Sequence, residues 1–119
     1  MNTILITGCS SGYGLETARH FHRQGWNVIA TMRRPRSDLF SAADRIRILP
    51  LDVTDPESIA EAVAAAGPID VLVNNAGVMG VAEQRTFDGL ELTMATNHFG
   101  PFLLTGLLMP QLVESGAGR

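Results

Sequence analysis

The stretch Leu5-Ile6-Thr7-Gly8-Cys9-Ser10-Ser11-Gly12-Tyr13-Gly14 constrains this chain more than any other. Its three glycines follow an apolar run and open a segment of helical periodicity, so the loop joins a strand to a helix. Without Cβ atoms, Gly8, Gly12 and Gly14 can turn sharply, admit a ligand and let the helix pack on the strand. The first-turn amides of that helix point outward, and its dipole favours an anion there. Ser10 and Ser11 add hydroxyl donors. No Gly-Lys-Ser/Thr follows, which excludes a P-loop. The loop therefore reads as a cradle for a pyrophosphate, with a plain tight turn as the alternative.

The remaining sequence alternates strand and helix. Thr3–Thr7 is a short apolar run that stops at glycine. From Gly12 to Gln24, Leu15, Ala18, Phe21 and His22 recur at helical spacing, and Gly25 ends the pattern. Asn27–Met32 and Ile46–Leu51 read as strands, with a short helix at Ser37–Ala43 between them. Thr54 and Glu57 have capping-box spacing around a proline in the first turn, which predicts a helix to about Ala66, ended by Gly67-Pro68. Asp70–Asn74 is a fourth strand. Asp88–Glu114 reads as one long helix, kinked at Gly100-Pro101 because that proline lacks an amide donor. Such alternation implies a parallel sheet with right-handed crossovers. The expected fold class is α/β, the first half and a little more of a Rossmann-type doubly wound sheet.

Composition narrows the partners. A net charge of −3 argues against nucleic acid and against an anionic membrane. The single cysteine, Cys9, excludes an internal disulfide and fits a reducing, cytoplasmic setting. The most apolar window, Pro101–Leu112, holds two prolines and is far shorter than the roughly 20 residues of a membrane span. No metal-ligand spacing occurs. All nine basic residues are arginine, and Tyr13 is the one tyrosine.

The glycine spacing is T-G-x-x-x-G-x-G at Thr7, Gly8, Gly12 and Gly14, and with it the whole chain resembles the short-chain dehydrogenases/reductases, in their single-domain branch. Leu51-Asp52-Val53 matches the acidic position after the third strand, which the resemblance assigns to the adenine. Asn74-Asn75-Ala76-Gly77 matches the motif ending strand four, so Asn74, Ala76 and Gly77 are expected around the cofactor. Asn97 matches the helix asparagine whose main chain bends to hold a water of the proton relay. Tyr13 departs from the small aliphatic residue of the motif. It would either pack on the cofactor or fill space against the first helix. About four of the family's roughly seven strands would be present. The chain reads as the N-terminal part, 1–119, of the dinucleotide-binding domain. The phrasing around Asn97 is closest to retinol- and steroid-type members.

Strand two decides the expected dinucleotide. An NAD-binding unit ends that strand with a carboxylate for the ribose 2′-hydroxyl. Here the position is Met32, followed by Arg33 and Arg34. Arginine can meet a 2′-phosphate with a fork of charge-assisted donors. NADP(H) is therefore expected, with Arg33 the leading contact, and NAD(H) less so. The resemblance implies hydride transfer between nicotinamide and a small alcohol or carbonyl substrate, and a homodimer or homotetramer for the full-length protein. The family's strand serine and Tyr-x-x-x-Lys are not among these residues, so the chain alone is expected to be inactive. His98 adjoins Asn97 but should face elsewhere, because neighbouring helix positions do not share a face. Two other readings stand beside this one. The first is a non-catalytic NADP(H)-binding sensor or interaction module. The weaker second is an extended-branch epimerase, whose usual glycine pattern the chain lacks.

Overall fold

The computed structural model describes residues 1–41 and 44–119. Four strands form one parallel sheet in the order β3-β2-β1-β4: β1 Thr3–Ile6, β2 Asn27–Met32, β3 Ile46–Pro50 and β4 Val71–Val73. In register, Ile4 lies beside Val28 and Val71, and Ala30 beside Ile48. The order reverses between β1 and β4, the topological switch point at which open α/β sheets bind ligands.

Side-chain alternation along each strand feeds two cores. Ile4, Ile6, Val28, Ala30 and Met32 pack with Ala18 and Phe21 of helix α1 (Gly12–Arg23) on one face. Leu5 and Ile29 point to the other face. They meet Ile59, Ala62 and Ala66 of α2 (Pro56–Ala66), and Leu104, Leu108 and Leu112 of a later helix. That helix, α4 (Gly100–Glu114), follows the single turn α3 (Leu92–Met94) and a π-helical turn at Ala95–Phe99. Leu104, Leu108 and Leu112 recur every four residues, which makes the stripe that α4 buries. At the free edge of β4, the Arg119 amide donates to Asp70 O at 3.0 Å, and its carbonyl accepts from Leu72 N at 2.8 Å. That is the bonding pattern of a parallel ladder.

Three expected elements differ. The long helix begins at Leu92, not Asp88: Gly89 has φ +85°, and Leu92 N donates to Gln84 O, so residues 84–92 fold back on themselves instead. Glu91 caps the new start, accepting from Thr93 N and Met94 N. The break in regular α-geometry falls at Ala95–Phe99, ahead of Gly100-Pro101. Helix α2 is capped by Asp55, whose Oδ1 accepts from Glu57 N at 3.0 Å, rather than by Thr54. Of the expected short helix at Ser37–Ala43, Ser37–Leu39 forms one 3₁₀ turn, and residues 42–43 lie outside the described residues.

Candidate functional site

A cavity of about 430 Å³ opens at the C-terminal ends of the strands, over the switch point. The glycine loop forms one wall, through Thr7, Gly8, Ser10, Ser11 and Tyr13. Gly8 and Gly12 have φ of +71° and +59°, a region that side chains strongly disfavour. Gly14 is needed for closeness: a Cβ there would stand 2.2 Å from Gly8 O. Ser11 is the N-cap of α1 but makes no side-chain bond to the first-turn amides. Those amides keep their donor capacity for an anion.

Thr7 and Asn75 lock this loop to the end of β4. The Thr7 hydroxyl oxygen accepts from Asn75 N at 3.0 Å and Ala76 N at 2.9 Å. In return, Asn75 Nδ2 donates to Thr7 O at 3.0 Å and to Gly8 O at 3.2 Å. Asn75 also lines the cavity, a role the sequence reading missed. The signal was available in the strand period: Val71 and Val73 share one face, and Asn75 continues it. Asn74 continues the Leu72 face instead, and its amide donates to Thr105 on α4 at 3.1 Å. Its side chain is thus turned from the cavity, which Ala76 and Gly77 line.

Met32, Arg33, Leu51, Asp52, Val53 and Thr54 make the second wall. Asp52 Oδ1 accepts from Thr54 N and from the Thr54 hydroxyl, at 2.9 and 2.7 Å, which fixes the carboxylate at the rim. Arg33 and Arg34 are exposed, and neither side chain forms an ion pair or hydrogen bond with the described residues. Arg33 borders the cavity; Arg34 and Gly12 do not. Arg36 is bound to Asp38 at 2.7 Å.

Asn97 does not line the cavity itself but holds Val78, which does. Its Oδ1 accepts from Val78 N at 2.8 Å, and its Nδ2 donates to Val78 O at 2.7 Å, so both ends of the amide clamp the chain after β4. His98 is exposed, with its ring 6.2 Å from that of Phe102, away from the cavity. Tyr13 does not fill space against α1: it is 88% exposed at the cavity mouth. Cys9 sits inside the loop with no exposed surface, and burial pushes its thiol up to about 11.

A parallel sheet covered on both faces, with a glycine loop and a helix N-terminus at its switch point, defines a doubly wound nucleotide-binding protein of the Rossmann type. The chain belongs to the short chain dehydrogenase family, whose family model matches residues 2–119. It is 37% identical to retinol dehydrogenase 12 of Bos taurus, an alignment covering 98% of this chain and 40% of that protein. The chain thus spans about 40% of the length of such relatives. An uncharacterised protein from Mycobacterium paratuberculosis superposes with a TM-score of 0.88 at 38% identity, over 93% of this chain and 42% of that one. A short-chain dehydrogenase from Sphingobium yanoikuyae in complex with NADPH superposes at 0.80, with 28% identity over 99% of this chain and 51% of that one. A 3-ketoacyl-(acyl-carrier-protein) reductase from Brucella melitensis complexed with NADH gives 0.79, with 29% identity over 98% and 52% of the two chains. The family's enzymes are oxidoreductases of small molecules using NAD(P)(H).

Proposed function

We propose that this chain supplies the cofactor-binding part of an NADP(H)-dependent oxidoreductase acting on an alcohol or carbonyl substrate. The observation that carries the choice of dinucleotide is Arg33. It stands at the cavity where β2 ends, with its guanidinium uncommitted to any described residue, and the neighbouring acidic position is filled by buried Met32. A carboxylate there would repel a 2′-phosphate, whereas arginine meets it with paired donors. Arg34 is the second candidate.

The cavity fits the rest of such a ligand. The free first-turn amides of α1, with Ser10 and Ser11, would hold the pyrophosphate. Gly8, Gly12 and Gly14 let the backbone approach it. Asp52 and Val53 would border the adenine, and Ala76 and Gly77 the sugars between. Once bound, the nicotinamide supplies the hydride. Asn97 would act through position, fixing the chain at Val78 beside the reaction centre. The residues handling the proton are proposed to come from other parts of the full-length protein, so residues 1–119 alone would bind cofactor without turnover. Exposed Phe102, Met109 and Val113 on α4 offer a surface for self-association of that protein.

Arg33→Asp tests the reading. The ratio of NADP(H) to NAD(H) affinity should fall at least about tenfold, because a charge-assisted contact contributes ~1.5–3 kcal/mol. A ratio that stays put refutes the assignment.

A further inference from the structure

Among the described residues three polar side chains are buried: Thr7, Thr31 and Thr96. The first two are bonded. Thr7 accepts from β4's end, and Thr31 Oγ1 donates to Ile6 O at 3.0 Å. Thr96, 7% exposed, has a buried hydroxyl with no hydrogen-bond partner among the described residues. Such orphans are rare in native folds and each calls for a cause. Thr96 also lies within the π-helical turn Ala95–Phe99, and short π segments concentrate at functional sites.

Its position suggests the cause. Thr96 lines the cavity, as does Leu92 one turn earlier in the chain. One turn on, Gly100 packs so closely on the β3–α2 connection that a Cβ would stand 2.1 Å from Val53 O. The π-helical turn is therefore seated against the Asp52–Val53 end of the cavity, where the proposed cofactor would place its adenosine.

We propose that the Thr96 hydroxyl is a positioning contact for the adenosine half of the dinucleotide. A 120° rotation about χ1 can bring the hydroxyl into the place of the methyl group, with the methyl moving into that of the Cβ hydrogen. Threonine in a helix populates two such wells, and here the rotation gives up no hydrogen bond to a described residue. It would turn Oγ1, now closed off from solvent, toward the ligand. The inference rests on the NADP(H) reading above and extends it to a residue that carries neither charge nor glycine chemistry.

The test compares Thr96→Val, which keeps the shape, with Thr96→Ser, which keeps the hydroxyl. Each purified protein is titrated calorimetrically with NADP⁺ and with 2′,5′-ADP, which lacks the nicotinamide half. Thr96→Val should weaken both ligands about five- to tenfold, the scale of one neutral hydrogen bond. Thr96→Ser should bind like the wild type. The ligand-free Thr96→Val protein should melt at or above the wild-type temperature, since a buried unpartnered hydroxyl has been removed. Wild-type affinity for both ligands in Thr96→Val overturns the inference. So does a loss confined to NADP⁺, or a lower melting temperature that serine restores. Wild-type protein that binds neither ligand takes down the NADP(H) reading and this inference with it.

Discussion

Replacing Thr7 by valine separates hydrogen bonding from packing at the join between the glycine loop and β4. Thr7 is 2% exposed, and its hydroxyl oxygen is the acceptor for Asn75 N and Ala76 N. Valine keeps the volume and removes the acceptor. Asn75 N retains Val73 O at 3.1 Å, but Ala76 N has no second partner among the described residues. A donor orphaned in this part-buried position costs about 1–2 kcal/mol, and weakening the Asn75 contact brings the expected loss to about 2–3 kcal/mol. An unfolding entropy of about 2.1 cal/mol/K per residue over this chain converts that to a fall in Tm of roughly 10 °C. Thr7→Ser keeps both bonds and loses one methyl, about 1 kcal/mol or roughly 4 °C. The assay is thermal unfolding of wild type, Thr7→Val and Thr7→Ser, by circular dichroism under one buffer condition. If Thr7→Val melts at or above Thr7→Ser, packing rather than the acceptor holds the join, and the reasoning fails.

Gly14→Ala should destabilise the protein by at least about 2 kcal/mol in denaturant unfolding, because its Cβ would meet Gly8 O, a backbone atom, at 2.2 Å. Unchanged stability would mean the loop can shift without loss. Cys9, buried with its thiol pushed up to about 11, should resist thiol reagents in the native state and react only on unfolding. Its raised value makes its share of stability complete below the ordinary 9.0 and lost as pH rises toward the folded one, so alkaline unfolding should soften in Cys9→Ala. Rapid modification of native protein at neutral pH contradicts this. Glu91 is held below its ordinary 4.5 by the amides of Thr93 and then Met94. A depressed carboxyl stabilises above its unfolded value and stops doing so as pH falls through the folded one. Protection of the Thr93 and Met94 amides, taken relative to the intrinsic exchange rate at each pH, should therefore fall on acidification in the wild type and stay constant in Glu91→Gln; equal behaviour of the two proteins refutes the cap.

The sheet was legible because its signal is periodic. Asn27–Met32 is apolar enough, and bounded sharply enough, to be placed to the residue, and α1 was misjudged by one residue at its end. What misled lies where side chains and backbone trade partners locally. Asp55 and Thr54 both suit an N-cap, and only the folded chain shows Thr54 spent on Asp52. Leu90 and Met94 are spaced as in a helix, yet Glu91 between them is extended, with ψ 133°, and the helix starts only at Leu92. In the cavity, the glycine loop announced itself through residue type. Asn75 and Thr96 did not, because their parts depend on strand parity and on which residues the turn around Asn97 presents to the cavity.

The Thr7–Asn75 join also bears on the order of folding. Its two residues stand 68 apart in the chain, with α1, β2, β3, α2 and β4 between them. The neighbouring β1–β2 pairing closes a far shorter loop, so it costs less entropy and can form earlier. The cavity is not enclosed until β4 docks and Asn75 reaches back to the glycine loop. On an emerging polypeptide, the cradle would therefore be finished after the sheet around it, and any ligand that prefers the finished cradle acts on the last stage of folding.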